Sequence, residues 1–315
     1  MKRVCLVGCG RMGRMHARCL AGHVELSFHS RTPASARRLR DQVGSGPVLE
    51  RWEDVLAPGI DALVLASPPA QHAPQAIAAL RAGKPVLVEK PLCTTPAELE
   101  GLGSALWHAG APWLMVAENY YYKPMLRLLH DLLRQGHLGL LQEVHLRKEC
   151  RQQAAGWRSE YGALLEGGIH FVALAGGLLD QEPEAVEACF PGHRPGYPER
   201  RSHLRLRYPG GVNATVRYAW DRPALLRGIF QHSRIVGSEG RITFESNGLY
   251  VHLRAGESRR LCFPGLADLM GYRAMARDFL RCLEGGGPPL SDFARARRDL
   301  NVVFAAYANL PAEDA

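Results

Sequence analysis

The sequence predicts an α/β domain built on a parallel sheet, followed by an α+β domain with an open-faced, largely antiparallel sheet. Its 315 residues exceed the length over which a single hydrophobic core usually grows. In the first third, short apolar runs alternate with helical patterns, which is typical of a doubly wound sheet. In the remainder, strand-like runs of alternating polarity prevail. We therefore expect one domain over residues 1–117 and a second over 118–315.

The helices and strands of the first domain are predicted from its apolar runs and from the residues that begin and end them. The run at 60–66 is almost continuously apolar, as expected for a parallel strand that is covered on both faces. Thr32 and Pro33 provide an N-cap and a first helical residue after the second strand, and Gly83 ends a later helix. The predicted strands are 3–8, 24–29, 60–66 and 85–88, and the predicted helices are 12–21, 33–42, 74–82 and 96–109.

The second domain contains runs in which apolar and polar residues alternate, separated by turn pairs such as Asn247-Gly248. This alternation predicts strands with one buried and one solvated face. Helices are predicted at 125–135, 272–283 and 293–308. The predicted strands are 203–208, 213–218, 234–237, 240–244 and 249–253.

Composition limits the classes of partner. No apolar run approaches the roughly 18 residues of a membrane span, and the first apolar stretch breaks at Gly8 before a signal-peptide core forms. We therefore expect a cytoplasmic protein without a membrane partner. The eight cysteines show no Cys-x-x-Cys pair and no zinc spacing, so reduced thiols and no metal site are expected. The net charge of +8 comes from scattered arginines, which favours a solvated surface over a nucleic-acid site.

A Gly-x-Gly-x-x-Gly motif made by Gly8, Gly10 and Gly13 follows the first predicted strand. In a βαβ unit the first glycine makes the tight turn, the second lets the backbone approach a pyrophosphate, and the third lets helix and strand pack closely. The helix N-terminus then faces the phosphates, so Arg11 and Met12 are further candidate cofactor contacts. A glycine turn without a ligand is the alternative; the strand–helix context favours a dinucleotide site in a Rossmann domain.

The end of the second predicted strand carries Ser30 and Arg31, where an NAD site usually has an acid. A hydroxyl and a guanidinium can both bind a 2′-phosphate. The sequence therefore favours NADP as the cofactor, with NAD left as the alternative. Arg31 as one more surface arginine is the other interpretation, because arginine is frequent along this chain.

Two further motifs lie at the ends of the third and fourth predicted strands. One is Ala-Ser-Pro-Pro-Ala-Gln-His at 66–72, and the other is Glu-Lys-Pro at 89–91, after an Ala-Gly-Lys-Pro-Val segment. With the glycine motif, these closely resemble the glucose–fructose oxidoreductase / inositol dehydrogenase / rhizopine-catabolism (Gfo/Idh/MocA) family. The resemblance continues to the last two predicted helices and so covers nearly the whole chain.

This resemblance implies a Rossmann domain followed by an open-faced sheet domain, with C-terminal helices that pack back on the first domain. It implies an NAD(P)-dependent oxidoreductase of sugars, cyclitols or related polar hydroxy or keto compounds, and a homo-oligomer, either dimer or tetramer, by analogy. The cofactor contacts that it adds are Ser67, Pro68, His72, Glu89 and Lys90.

The resemblance also assigns catalytic residues. It places Lys90 against the nicotinamide and the reacting carbon, and His170 in acid–base catalysis with Glu166 where the family usually has Asp. This agrees with the chemistry of the side chains, because a histidine exchanges protons near neutral pH and a lysine stabilises an alkoxide. Glu166 and His170 are spaced i, i+4, so on a helix the carboxylate can orient the imidazole. Gly167 and Gly168 are expected to leave room for a ligand.

Each catalytic assignment has a simpler alternative. His170, one of 13 histidines, can be a satisfied core residue, and Glu166 can be an acid at a helix N-terminus. Lys90 can be a polar strand end. The family also often has Asp three residues after the histidine, where this chain has Ala173.

Candidate substrate contacts, besides Lys90 and His170, lie where the second domain begins. Asn119, Tyr120 and Tyr122 belong to a Glu-Asn-Tyr-Tyr-Tyr-Lys-Pro stretch that offers hydroxyls and stacking faces. A second candidate is the pair Trp157-Arg158, because a guanidinium suits a carboxylate or phosphate. For that pair, a packing tryptophan beside a surface arginine is the alternative.

Together these features predict an NADP-preferring oxidoreductase that transfers a hydride between nicotinamide and a sugar-like, cyclitol or other polar small molecule. A reductase of imines or conjugated systems within the same family is one alternative. A catalytically silent NADP-binding sensor is the other, and the presence of Lys90 and His170 argues against it.

Overall fold

A computed structural model of the chain describes residues 1–44, 46–107, 110–152, 159–224 and 228–310. The chain divides into two compact units. The first comprises Met1–Glu118 and Tyr272–Arg297, and the second comprises Asn119–Gly271 and Arg298–Ala315. Within the described ranges, no helix combines the length and the apolar character that crossing a membrane requires.

The described residues form strands and α-helices with the following bounds. The strands are β1 (Arg3–Val7), β2 (Glu25–His29), β3 (Ala62–Leu65), β4 (Val86–Val88), β5 (Leu114–Val116), β6 (Leu141–Glu149), β7 (Ala185–Cys189), β8 (Arg201–Arg207), β9 (Asn213–Ala219), β10 (His232–Gly237), β11 (Gly240–Glu245), β12 (Val251–Ala255) and β13 (Ser258–Cys262). The helices are α1 (Arg11–Leu20), α2 (Pro33–Val43), α3 (Trp52–Val55), α4 (His72–Arg81), α5 (Pro96–Leu106), α6 (Pro124–Arg134), α7 (Ile169–Leu179), α8 (Tyr272–Leu283) and α9 (Phe293–Tyr307).

The first unit contains a five-stranded sheet in the order β2-β1-β3-β4-β5. All four strand pairs are parallel, which confirms the predicted α/β class. Strand β3 is fully buried, as its continuous apolar run predicts. The chain runs from β1 outward to β2 and then returns past β1 to β3. Ligands of open α/β sheets bind at such a reversal, outside the carboxyl ends of the strands.

The segment Tyr272–Arg297 belongs to the first unit although it follows the whole second sheet in the sequence. Helix α8 packs against α1. Ser291 is tied to the end of β5, because Val116 N donates to Ser291 O at 2.8 Å and Ser291 Oγ donates to Val116 O at 2.6 Å. Residues that follow the second sheet in the sequence therefore pair with the edge strand β5 of the parallel sheet.

The second unit contains an eight-stranded sheet in the order β13-β12-β11-β10-β6-β9-β8-β7. Its pairs are antiparallel except β6 with β9, which confirms the largely antiparallel prediction. Along β8, Leu204 and Leu206 are buried whereas Arg205 and Arg207 are exposed. Helix α7 lies against β6 and β9. The alternation therefore separates a covered face of the sheet from a solvated one.

Strand β6, near the centre of this sheet, is missing from the sequence prediction. Its sequence Leu-Gln-Glu-Val-His-Leu-Arg-Lys-Glu is rich in charge, and only Val144 and Leu146 are buried. Its three apolar residues, Leu141, Val144 and Leu146, do not alternate regularly, so pairing with β9 and β10 decides the conformation. The edge strands β7 and β13 escape prediction for a similar reason, because neither has a fully buried residue.

Helices α5 and α2 both have a threonine at the N-cap position. The Glu98 backbone N donates to Thr95 Oγ1 at 3.2 Å, and the Glu98 side chain accepts from the Thr95 backbone N at 3.2 Å. Thr32, the predicted N-cap of α2, occupies that position without a side-chain capping bond from any described residue.

We expect Thr95→Ala to lower the free energy of unfolding by about 1 kcal/mol, because it removes this capping bond. Thr32→Ala is the control and should cost clearly less. Chemical denaturation of both variants measures the difference. Equal losses would show that the capping box of α5 contributes no more than the threonine side chain itself.

Candidate functional site

The residues predicted to bind a dinucleotide follow successive strands at one edge of the parallel sheet. Gly8 follows β1, and its backbone N donates to His29 O at the end of β2 at 2.9 Å. Ala66 N, after β3, donates to Val7 O at 2.7 Å, and Glu89 N, after β4, donates to Leu65 O at 2.8 Å. These backbone bonds join the loops into a continuous edge at the carboxyl ends of the strands.

The three glycines of the motif differ in how much space surrounds them. A Cβ on Gly8, which has a φ of +95°, would lie 2.4 Å from the carbonyl carbon of Ala66. A Cβ on Gly13 would lie 2.0 Å from Gly8 O. A Cβ on Gly10 would meet no described atom within 4 Å. Packing therefore requires the first and third glycines, whereas the second presents open backbone, as a pyrophosphate contact requires.

The N-terminus of α1 is suited to an anion. Gly10 is its N-cap, and no side chain of the described residues accepts a capping hydrogen bond there. The first turn contains no acidic residue, so the partial positive charge of the helix end is not neutralised locally. Arg11 is exposed and Met12 is half-buried. The residues present fit the diphosphate of a nicotinamide dinucleotide.

Ser30 and Arg31 lie directly after β2. Ser30 Oγ accepts from Thr32 N at 3.4 Å, and Arg31 is exposed with no hydrogen bond or ion pair to any residue that the structure describes. His29 Nδ1 contacts Leu49 O at 2.9 Å, which holds that ring in place beside them. The end of β2 thus presents a hydroxyl and an unpaired guanidinium.

His72 is predicted to contact the cofactor directly, and the structure gives it another role. The ring is 1% exposed. Its Nδ1 lies 2.7 Å from Pro91 O and its Nε2 lies 2.7 Å from Ser67 O. Burial lowers the pKa of the imidazole, and a neutral ring donates to one of these two carbonyls at a time. His72 therefore ties the loop after β3 to the loop after β4.

Ser67 and Pro68, the other predicted contacts in this loop, lie at the carboxyl edge. Ser67 Oγ donates to Gln75 Oε1 in α4 at 2.7 Å, so the serine side chain is already held by the protein. Pro68 leads into the short helical turn that precedes α4.

Glu89 is buried and forms a buried side-chain hydrogen bond that sequence reasoning missed. Its Oε1 lies 2.8 Å from Nε2 of His16, a buried residue of α1, and its Oε2 accepts from Lys90 N at 3.2 Å. Burial acts to raise the pKa of Glu89, but the hydrogen bond and charge of His16 outweigh it and hold the pKa below its usual value. The carboxylate therefore braces α1 against Lys90, which is half-buried at the end of β4.

In the second unit, the side-chain rings of His170 and Tyr120 are in contact. The two rings stack with centroids 4.9 Å apart and an interplanar angle of 14°. Lys123, also missed from the sequence, lies with Nζ 4.5 Å from the centroid of the Tyr120 ring and donates to Asn247 O at 2.6 Å. His170, Tyr120 and Lys123 thus belong to one cluster, which explains a lysine that is only 1% exposed.

The other predicted substrate contacts of this stretch are buried. Asn119 Nδ2 donates to Met270 O at 2.7 Å, and Tyr122 is 9% exposed. Between them, Tyr121 Oη donates to Asp299 Oδ2 at 2.7 Å and accepts from Arg298 at 3.0 Å. Tyr120 and Tyr121 therefore face different partners, and Tyr121 anchors the stretch.

Glu166 lies in a π-helical turn, Leu164–Gly168, that leads into α7 and His170. Glu166 is 6% exposed. Burial raises the pKa of the Cys150 thiol. The charge of Lys148 partly opposes this rise in pKa, and the negative charge of Glu166 adds to it. His170 lies in α7, but Glu166 lies in the π turn before it, so the i, i+4 spacing of an α-helix does not describe this pair.

The expectation that Gly167 and Gly168 leave room for a ligand is wrong. A Cβ on Gly167 would lie 2.1 Å from Tyr218 Oη, and one on Gly168 would lie 2.9 Å from Leu164 Cδ1. Protein side chains fill the space, so close packing on β9 requires these glycines. The predicted contacts Trp157 and Arg158 lie outside the described residues.

We expect His16→Ala to lower the free energy of unfolding by about 3 kcal/mol, because it leaves the buried Glu89 carboxylate without its partner. His23→Ala is the matched control in the same unit, since His23 is exposed. Chemical denaturation at neutral pH compares the two variants. Losses of similar size would mean that the His16–Glu89 contact does not stabilise the fold.

Family models match both parts of the chain. Residues 2–117 match the model described as "Oxidoreductase family, NAD-binding Rossmann fold". Residues 126–243 match the model described as "GFO/IDH/MocA C-terminal domain".

Curated relatives include dehydrogenases of cyclic diols and cyclitols. The chain is 28% identical over 270 residues to inositol 2-dehydrogenase of Acidothermus cellulolyticus, covering 82% of this chain and 77% of that protein. It is 31% identical over 163 residues to trans-1,2-dihydrobenzene-1,2-diol dehydrogenase of Mus musculus, covering 50% of this chain and 48% of that protein. The match thus spans about half the length of the mouse protein.

Among solved structures, a levoglucosan dehydrogenase in complex with NADH and levoglucosan superposes with a TM-score of 0.85. The alignment covers 98% of this chain and 97% of the other at 22% identity. At this identity the likeness is one of fold.

Proposed function

Because the chain belongs to the GFO/IDH/MocA family of NAD-binding oxidoreductases, we propose that it transfers a hydride between NADP(H) and a sugar-like or cyclitol substrate. This proposal rests on the groups that lie at the carboxyl ends of the parallel strands. There, open backbone at Gly10, the uncompensated N-terminus of α1 and Lys90 belong to one unit. The substrate class follows the cyclitol and sugar dehydrogenases that the chain resembles.

The preference for NADP rests on the end of β2. Arg31 offers a guanidinium that no described residue neutralises, and Ser30 offers a hydroxyl. A 2′-phosphate carries negative charge that such a pair can bind, whereas the 2′-hydroxyl of NAD normally meets an acid there. The bound nicotinamide supplies the hydride acceptor or donor.

We assign Lys90 to the reacting oxygen of the substrate. Its backbone is held by Glu89, which is braced in turn by His16, so the side chain starts from a fixed point at the sheet edge. An ammonium group stabilises negative charge that develops on a substrate oxygen more strongly than charge in the ground state, and this difference lowers the barrier.

We assign His170 to proton transfer, taking the hydroxyl proton during oxidation and returning it during reduction. Stacking on Tyr120 fixes the plane of the imidazole. Tyr120 is the best supported of the predicted substrate contacts, because it borders the group assigned to proton transfer. Glu166, in the preceding turn, is assigned to orienting His170, whereas Asn119 and Tyr122 stay predictions as substrate contacts.

We expect Arg31→Ala to weaken NADP binding about ten- to a hundredfold, because a lost charge-assisted hydrogen bond is worth about 1.5–3 kcal/mol. NAD binding should change little. Arg81→Ala, in the last turn of α4, is the control for a general loss of positive charge. Titration of both cofactors measures these affinities. Wild-type affinity for NAD that equals or exceeds that for NADP would overturn the proposed preference.

The proposed activity is tested with a panel of cyclitols, sugars and keto sugars, in both directions and with both cofactors, followed by nicotinamide absorbance. We expect Lys90→Met to bind NADPH normally and to lose turnover about 10²–10³-fold, the usual effect of removing a donor to a developing oxyanion. Lys2→Met, at an exposed lysine, is the control.

Turnover of Lys90→Met within a few-fold of wild type would contradict the role of Lys90. Wild-type protein that binds NADPH and turns over no compound, including imines and conjugated ketones added to the panel, would indicate a sensor.

A further inference from the structure

We propose that Glu199 and Tyr307 are positioning residues that fix the start of the helical segment carrying Glu166 and His170. This inference rests on the proposed function for its catalytic consequence. Both residues lie in the second unit, with the segment that they hold. Neither stands out in the sequence, because Glu199 lies in a polar stretch before β8 and Tyr307 is the last residue of α9.

Three successive backbone N–H groups at the start of the segment are bound by these two residues. Ala163 N donates to the backbone O of Glu199 at 2.9 Å, and Leu164 N donates to Glu199 Oε1 at 2.7 Å. Leu165 N donates to Tyr307 Oη at 3.1 Å, and this hydroxyl donates to Glu199 Oε1 at 3.0 Å. A helix start leaves N–H groups without intrahelical partners, so the two side chains act as a shared cap.

The Glu199 carboxylate is buried, unlike a capping side chain at the protein surface. Glu199 is 3% exposed, and a Cβ on Gly162 would lie 1.7 Å from its Oε2. Oε2 has no hydrogen-bond partner among the described residues. Burial raises the pKa of Glu199 to about 7. A buried carboxylate costs free energy that simple helix capping by a serine or threonine would avoid.

The segment needs such support because its first turn is π-helical. Leu164–Gly168 forms the π turn, in which the Ile169 backbone N donates to Leu164 O, five residues earlier. A π turn contains an extra residue relative to an α turn, and π turns are rare in proteins. Relaxation to an α-helix, with its shorter turn, would change the angle between Glu166 and His170 about the helix axis. The bonds from Glu199 and Tyr307 hold the turn that sets this relative orientation.

Three variants test the proposal. Tyr307→Phe removes the hydroxyl while keeping the ring that stacks on Phe190 with centroids 5.7 Å apart. Glu199→Ala removes the carboxylate, and Glu199→Gln keeps an acceptor for Leu164 N. Tyr208→Phe is the matched control, since Tyr208 is 2% exposed in the same unit and has Arg298 and Asp299 as its charged neighbours.

We expect Glu199→Ala and Tyr307→Phe to lower kcat about 10- to 100-fold, the effect of a small misplacement of catalytic groups. The affinity for NADP should stay within about twofold, because the predicted cofactor contacts lie in the first unit. Glu199→Gln should recover most of kcat, and Tyr208→Phe should keep it. Losses in Tyr307→Phe no larger than those in Tyr208→Phe at similar thermal stability would overturn the proposal.

A second measurement does not depend on turnover. Two-dimensional NMR of the histidine rings, with the His170 signal assigned by its loss in His170→Gln, reports the environment of the imidazole. We expect the His170 chemical shifts and their pH titration to move in Glu199→Ala and Tyr307→Phe and to stay in Tyr208→Phe. Unmoved signals would refute the positioning role even in an active enzyme. If the wild-type protein is inactive but the His170 signals move in Glu199→Ala and Tyr307→Phe, the proposed function is refuted and the positioning role is not.

Discussion

The close approach of the loop after β1 to the start of α1 and to the loop after β3 is the constraint on which the first unit depends. Gly8 and Gly13 have no room for a Cβ, so the strand end and the helix start lie in direct backbone contact. This contact places the N-terminus of α1 at the reversal point of the sheet, where backbone N–H groups and the helix dipole favour a phosphate. Every other candidate cofactor group is positioned relative to this junction.

Buried polar side chains then fix the neighbouring loops against it. The His16–Glu89 pair connects α1 with the backbone of Lys90, and His72 spans the loops after β3 and β4. Such groups are costly when unpaired, so each favours a single arrangement of the segments that it joins. The side chain of Lys90 therefore extends from a backbone position that these hydrogen bonds define.

In the second unit, too, buried polar side chains contact the segments that carry candidate site residues. Its open-faced sheet supports α7, and the glycines before α7 let this segment approach Tyr218. Tyr120 stacks on His170 while Lys123 lies near the Tyr120 ring, and Glu199 with Tyr307 holds the preceding turn. The segment that carries the proposed proton-transfer residue is thus bonded at its start and stacked at His170.

Much of this molecule could be predicted from local sequence alone. The apolar runs of β1 to β4, the glycine motif and the alternation along β8 and β9 are properties of neighbouring residues, so periodicity and turn chemistry determined both fold classes. Strand β6 and the contributions of His16, Lys123, Glu199 and Tyr307 depend on partners distant in the chain, which no local pattern encodes. His72 and Gly167 show the same limit: their residue types fit a ligand site, but only the tertiary structure revealed that protein groups occupy the positions expected for a ligand.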